Sequence, residues 1–213
     1  MWKDMVYQLK HDFPEAVRLY RPATDAQLQK TGQLLGVNLE AIDNDWVEFL
    51  QVTNGAGFLF HLFYGAMNSQ IATISEINLQ LWGIDDYRWV KEHFICFFSH
   101  ASSQCIGFVR ENQQTRCIAF ISELTDNAVL PIASSFKMFL ASFLQDVSRV
   151  LTTWRSRPGE QLPYFMPGNW PLNLHQWCER DIQLKQMLKK GELRDLFSTS
   201  PEYDKIVKNA LKG

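Results

Sequence analysis

The sequence predicts a fold in which α-helices pack with an antiparallel β-sheet. Helical periodicity occupies both ends of the chain, and short runs rich in β-branched and aromatic residues occupy its centre. The hydrophobic fraction is 46% of 213 residues, which indicates a sizeable core and excludes wholesale disorder. At about 150 residues per domain, the chain is one domain or one domain with an appendage.

Two helices are predicted before residue 37. Apolar residues recur at helical spacing over residues 2–13, and Pro14 ends that segment. The second helix begins at Thr24, whose hydroxyl can accept from a backbone amide while Gln27 reaches back, as in a capping box. Gly36 suits the left-handed position that follows the last turn of a helix.

A third helix is predicted from about Asp43, because Trp46 and Phe49 then share one face. It ends at Asn54-Gly55, a pair that tolerates positive φ. This pair follows a helix rather than a strand, so it lacks the context of a phosphate-binding loop. We therefore interpret it as a helix-to-strand turn.

The middle of the chain predicts a meander of antiparallel hairpins, because polar stretches separate its last three apolar runs. The predicted strands are residues 58–64, 71–74, 94–98, 105–110 and 117–122. Residues 82–92 form a charged, aromatic insert between two of them.

The strongest periodic signal is a helix after Ser134-Ser135. Apolar residues follow i, i+3, i+4, i+7 spacing for four turns, from Phe136 to Leu151. A stripe of this width indicates a helix that lies across the sheet. Docking of a partner on the same stripe is the alternative.

The composition changes near residue 155, and we expect two parts: residues 1–155, and a Pro-rich strap with a helical extension over 156–213. The first part has a net charge of −4 and the second of +2. The second part contains a predicted helix over 174–190 and another that opens at Ser200-Pro201. It could be a packing strap, a dimer element or part of a partner site.

The sequence contains none of the motifs G-x-S-x-G, G-x-x-x-x-G-K-[ST], G-x-G-x-x-G and H-E-x-x-H, so we expect no catalytic residues and no cofactor. The four cysteines contain no C-x2-C pair, which leaves a zinc site without support. Three of the cysteines lie in apolar runs and are expected to be buried free thiols. The histidines at positions 11, 61, 93 and 175 are isolated and are not predicted to be ligands.

One neighbourhood keeps an enzyme hypothesis open. Cys96, His100 and Cys105 are close in sequence and could form a thiolate pair. An apolar setting raises the pKa of a thiol and makes it inert, so the sequence favours structural cysteines.

A loop before the third predicted strand has the composition of a protein-binding anchor. Aromatic residues lie there beside acids, at Trp82, Asp85, Asp86, Tyr87 and Trp89. The alternative is a strand-connecting insert whose tryptophans fold back onto the core.

The order of these elements resembles the SMI1/KNR4 (SUKH) superfamily. The resemblance spans residues 21–145, about 60% of the chain, and depends on the order and spacing of several short segments. These segments are residues 22–24, 34–37, 45–50, 54–55, 131–136, 139–140 and 143–144.

The resemblance implies an α+β fold with helices on a curved, mostly antiparallel sheet, and a protein-binding role. Many bacterial members look like immunity proteins that neutralise toxins, often nucleases or deaminases. We therefore expect a non-catalytic immunity protein that binds a cognate toxin domain. The alternative is an intracellular scaffold or regulator that binds a cellular protein.

The partner surface is expected at the Trp82–Trp89 loop, with Glu111 and Glu123 as acidic rim residues. The net charge of −4 on residues 1–155 suits a basic partner, because opposite potentials raise association rates. We expect a cytoplasmic location, no direct contact with nucleic acid, no membrane segment, and a possible homodimer.

Overall fold

A computed structural model describes residues 2–84, 88–100, 104–111, 114–122, 129–157, 159–163, 174–191 and 201–212. Its helices are α1 (Trp2–Asp12), α2 (Asp25–Leu35), α3 (Leu39–Ile42), α4 (Asn44–Val52), α5 (Ile74–Trp82), α6 (Arg88–His93), α7 (Phe136–Arg155), α8 (Leu174–Arg180), α9 (Ile182–Lys190) and α10 (Pro201–Ala210). Its strands are β1 (Val17–Leu19), β2 (Ala56–Phe58), β3 (His61–Phe63), β4 (Phe94–His100), β5 (Gln104–Glu111), β6 (Gln114–Ser122) and β7 (Val129–Ala133).

The seven described strands form one sheet in sequence order, and every neighbouring pair is antiparallel. The predicted α+β class and the predicted meander are therefore confirmed. The capping box of Thr24 and Gln27 begins α2, and Gly36 ends it in the left-handed region at φ 66°. Both local predictions are confirmed because short-range hydrogen bonds alone decide them.

Two strand predictions are wrong in detail. Residues 58–64 hold the end of β2 and all of β3, which are separated by Leu59 at φ 57° and Phe60. Residues 71–74 are not a strand, because a capping box between Thr73 and Glu76 starts α5 at Ile74. A β-branched run there gives way to hydrogen bonds that satisfy the first amides of a helix.

Phenylalanine side chains hold α7 against the sheet. Cys96 pairs with Gly107 and Phe98 pairs with Ile106, so Phe97 is an extra residue in a β-bulge. Consecutive strand residues normally face opposite sides, but the bulge lets Phe97 and Phe98 both face α7. The Phe97 ring lies 5.3 Å from that of Phe136, and the prediction that α7 lies across the sheet is confirmed.

Other rings continue this contact along the sheet. The ring centroid of Phe143 lies 5.2 Å from that of Phe98 and 5.4 Å from that of Phe63. The ring planes meet at 80° and 73°, so both pairs are edge-to-face. Edge-to-face pairs contribute about 0.5–1.5 kcal/mol each beyond the burial of their area. His61 is buried in the same layer, where it stacks on Phe98.

The Asp43 carboxylate joins two helices. Its Oδ1 accepts from Trp46 N at 3.1 Å and thereby caps α4, while its Oδ2 accepts from Phe136 N at 3.1 Å at the start of α7. Burial raises the pKa of Asp43 above its usual value, and the two amide bonds oppose that shift. One side chain therefore fixes the separation of the two helix N-termini on the core face.

Helix α8 is attached to α7 through a buried acid. Trp177 Nε1 donates to Asp146 Oδ2 at 3.0 Å, and the Asp146 side chain is only 3% exposed. Arg149 donates to the other carboxylate oxygen at 3.3 Å. The Trp177 ring lies 5.9 Å from that of Phe139, so α8 shares the hydrophobic core of the sheet and α7.

The predicted helix over 174–190 is interrupted at Asp181. Its Oδ1 accepts from Leu184 N at 2.9 Å and caps α9, while its Oδ2 accepts from Ser134 N at 2.6 Å. Residues 164–173 of the predicted strap lie outside the described residues. The division into 1–155 and 156–213 stays a prediction.

We expect Asp43→Ala to lower the free energy of unfolding by about 2–3 kcal/mol, because two helix-terminal amides lose their acceptor. Asp43→Asn retains one acceptor oxygen and should cost about half as much. Urea unfolding measures both values. Glu40→Ala removes an exposed acid from the first turn of α3 and should stay within about 0.5 kcal/mol of the wild type. Equal losses in the Asp43→Ala and Glu40→Ala variants would contradict the role of Asp43.

Candidate functional site

An amide side chain takes the place of a strand beside β4. Strand β3 pairs with β4 only from Phe98 to His100, and among the described residues no strand pairs with Cys96 on that side. Asn78 of α5 donates to Cys96 O at 2.8 Å and accepts from Cys96 N at 2.8 Å. The fully buried amide thus satisfies an exposed sheet edge and fixes α5 against β4.

Trp82, the first residue of the predicted binding loop, is the last residue of α5. Its Nε1 donates to Phe94 O at 3.3 Å, one step along the same edge of β4 from Asn78. The side chain is half-buried, so part of the indole stays exposed while its donor is satisfied. Trp82 therefore agrees in part with both interpretations of the sequence. It packs on the core, as expected of an insert that folds back, and it also contributes to the surface, as expected of a binding anchor.

Among the remaining predicted binding residues, the structure describes the side chain of Glu111 and the helical backbone of Trp89. Asp85, Asp86, Tyr87 and Glu123 lie outside the described residues, and Trp89 lies within α6. The Glu111 carboxylate lies 3.6 Å from Arg116 across the β5–β6 hairpin, and both side chains are about two-fifths exposed. Their roles in binding stay predictions.

Glu111 and Trp82 belong to the same end of the sheet. Strand β5 ends at Glu111, which pairs with Gln114, and β4 begins at Phe94, the residue that accepts from Trp82. Ser122, just before Glu123, pairs with Gln104 at the opposite end of β5. Trp82 and Glu111 can therefore contribute to one surface at the end of the sheet where β5 and β6 form their hairpin.

Two further contacts bring helices to this end of the sheet. A ring nitrogen of His93, the last residue of α6, lies 3.1 Å from Arg110 O. Thr115 Oγ1 donates to Ile42 O at the end of α3 at 2.7 Å. The hairpin end consequently lies between α6 on one side and α3 on the other.

A groove of about 710 Å³ lies on the α3 side of the hairpin end. Residues of α2, α3, α4 and the loop between α2 and α3 form its walls, together with one residue of β5. Its wall residues carry polar amide side chains and apolar ones: Gln29, Gln33, Asn38, Gln51, Leu28, Val37, Leu39, Ile42 and Val47. The volume falls in the range of about 300–1,000 Å³ that is typical of ligand pockets.

Arg110 is the residue that β5 contributes to this groove. The hairpin bulge lies in β6 at Arg116, so the alternation of β5 continues unbroken and Arg110 shares the face of Phe108. Arg110 Nε is buried and has no hydrogen-bond partner among the described residues. Burial lowers the pKa of the guanidinium below its usual value.

The cysteine neighbourhood has the character of a packed interior. Cys96, Cys117 and Cys178 are buried, Cys105 is partly buried, and all four are free thiols. Burial raises the pKa of Cys96 and Cys117 and raises the pKa of Cys178 to about 11. The side chain of His100 lies outside the described ones, so its place beside Cys96 stays untested.

The described residues contain neither a metal-binding cluster nor a membrane-spanning helix. No group of three or more histidine, cysteine or acidic side chains could hold a metal ion in the part of the chain that the structure describes. Among the helices described, none combines the length and the apolar character needed to cross a membrane.

A sequence profile of the SMI1 / KNR4 family (SUKH-1) matches residues 22–142, more than half of the chain. The match begins just before α2 and ends inside α7, so it includes the groove and the hairpin end. A search of curated proteins finds no significant match.

We expect Asn78→Ala to lower the free energy of unfolding by about 3 kcal/mol, because the buried amide and carbonyl of Cys96 both lose a partner. Hydrogen exchange should show faster exchange of the Cys96 amide, since that amide donates to Asn78. The matched control is Asn209→Ala, which changes an exposed residue of α10 and should leave both quantities unchanged. Unaltered exchange at Cys96 in the Asn78 variant would contradict this assignment.

We expect the native thiols to react slowly with a disulfide reagent at pH 7.5. A pKa of about 11 at Cys178 lowers its thiolate fraction roughly 10²-fold relative to an exposed cysteine. Any modification of the folded chain should occur at the partly buried Cys105, and Cys105→Ser should remove it. Modification of Cys96 or Cys105 faster than of the urea-unfolded chain would instead support the enzyme hypothesis.

Proposed function

Because the chain belongs to the SMI1/KNR4 family (SUKH-1), we propose that it is a non-catalytic protein-binding module, namely an immunity protein that neutralises a cognate bacterial toxin domain. The observation that carries the proposal is the family match over residues 22–142. The toxin would be of the nuclease or deaminase class, and binding would cover its active site or substrate groove.

The hairpin end of the sheet supports this proposal physically. Trp82 is held by its hydrogen bond to Phe94 O and remains partly exposed, so it can serve as an anchor without much loss of conformational entropy. Asp85, Asp86 and Glu111 would supply negative charge beside that anchor. Such charge accelerates association with a basic partner and excludes acidic ones.

A growth assay tests the immunity role. The toxin domain encoded immediately upstream of this gene is expressed in a bacterial host, with or without this chain. We expect the chain to restore growth. Absence of a neighbouring toxin gene, or continued growth arrest, would contradict the immunity role and favour the scaffold alternative.

A charge-reversal variant tests the surface. Asp85→Lys/Asp86→Lys should lower the association rate with the toxin at least about tenfold at low salt, because it inverts the local potential. The matched control is Glu160→Lys/Glu179→Lys, which makes the same change in net charge at two exposed acids of the C-terminal part. Surface plasmon resonance measures both rates. Equal rates for the two variants would place the contact surface elsewhere.

A further inference from the structure

Arg110 is held in a position that costs the fold stability. Its guanidinium stays charged at neutral pH, yet burial deprives it of part of its hydration. Its buried Nε has no partner among the described residues, whereas nearby Arg116 is paired with Glu111. Arg110 is only partly buried and forms no ion pair among the described residues, so a ligand that enters the groove can compensate its charge.

The other charged residues of the groove restrict what that ligand can be. Asp25 and Glu40 also line it, at the first turns of α2 and α3. Asp25 is already engaged, since Gln51 donates to it across the groove at 3.4 Å. A ligand with a single negative charge at Arg110 fits this setting, whereas two carboxylates in the walls disfavour a doubly charged phosphate.

The walls match the chemistry of an extended polypeptide. The lining follows α2 from Asp25 to the cap at Gly36, a length of about 16 Å at 1.5 Å per residue. An extended chain advances about 3.3 Å per residue, so about five residues would fill the groove. Amide side chains on the walls can donate to and accept from a peptide backbone, and Val37 and Leu39 offer apolar contact.

We propose that this groove binds an extended segment of a partner protein that carries one acidic residue among uncharged ones, and that Arg110 receives the carboxylate of that Asp or Glu. The planar guanidinium suits a carboxylate because it can donate two parallel hydrogen bonds. The groove is a second binding surface, and Trp82 does not line it. The proposal does not depend on a toxin partner, so either proposal can fail alone.

A peptide selection tests the proposal on the full chain. The probe is a pool of capped octapeptides with a fixed central Glu and uncharged residues elsewhere, selected on the immobilised protein. We expect enriched sequences, and we expect the Gln-centred form of each to bind at least about tenfold more weakly in fluorescence polarisation, as loss of a charge-assisted hydrogen bond requires. No enrichment, or equal binding of the Glu and Gln forms, would overturn the proposal.

Variants assign the binding to Arg110. Arg110→Gln should weaken the enriched peptides at least about tenfold, and Arg110→Lys should weaken them less, because it keeps the charge but loses the planar fork. The control is Arg116→Gln on the neighbouring strand, which should stay within about twofold of the wild type. Equal losses in the Arg110 and Arg116 variants would overturn the assignment. Tighter binding of a phosphoserine-centred form would overturn the choice of a carboxylate.

Thermal unfolding separates binding from structural support. Removal of a partly buried charge that forms no ion pair among the described residues should leave the melting temperature of Arg110→Gln unchanged or raise it by about 2 °C. A fall of more than about 4 °C, or failure of this variant to fold, would show that Arg110 supports the fold and would overturn its assignment as a ligand-binding residue.

Discussion

The hydrogen bonds of Asn78 to the backbone of Cys96 are the constraint on which the functional end of the molecule depends. Strand β3 is too short to cover β4. Unpaired backbone groups at a sheet edge lower stability when they are buried, and they can pair with a strand of another chain when they are exposed. Since α5 covers that edge with an amide and an indole, the edge is closed without a further strand. The same contacts fix where α5 ends, so Trp82 lies on the β4 edge at the end of the sheet where β5 and β6 form their hairpin.

That end of the sheet carries two candidate binding surfaces, the partly exposed Trp82 and the groove that contains Arg110. The fold supports them in different ways. The donor of Trp82 is satisfied inside the protein, so what it can offer a partner is apolar area from a fixed position. Arg110, four residues before Gln114, has the opposite character, because its buried Nε is unsatisfied among the described residues. An aromatic anchor of the first kind supports stability and binding together, whereas a partly buried cation of the second kind would gain a partner for its charge only when the proposed ligand binds.

Local signals made much of the fold predictable from the sequence. The capping box at Thr24, the left-handed Gly36 and the periodic stripe of α7 each depend on residues within a few positions of one another. Helix α5 was not predicted, because its β-branched start resembles a strand until the side chains of Thr73 and Glu76 are considered together. Arg110 was missed as a candidate site residue, although its spacing of two from Phe108 signals the core face. That its Nε has no partner depends on α2 and α4, which are distant in sequence.

The attachment of the C-terminal helices shows how residues outside the family match depend on residues near its end. The match stops at residue 142, yet α7 continues to Arg155 and carries Asp146 four residues later. The Asp146 side chain is 3% exposed, and burial of a carboxylate lowers the stability of a protein unless hydrogen-bond donors surround it. Trp177 supplies one of these donors from α8, and Arg149 supplies the other. Asp146 therefore couples α7 to α8, beside the ring contact of Trp177 with Phe139 and the bond from Ser134 N to Asp181. Loss of α8 would leave Asp146 with Arg149 as its remaining donor among the described residues.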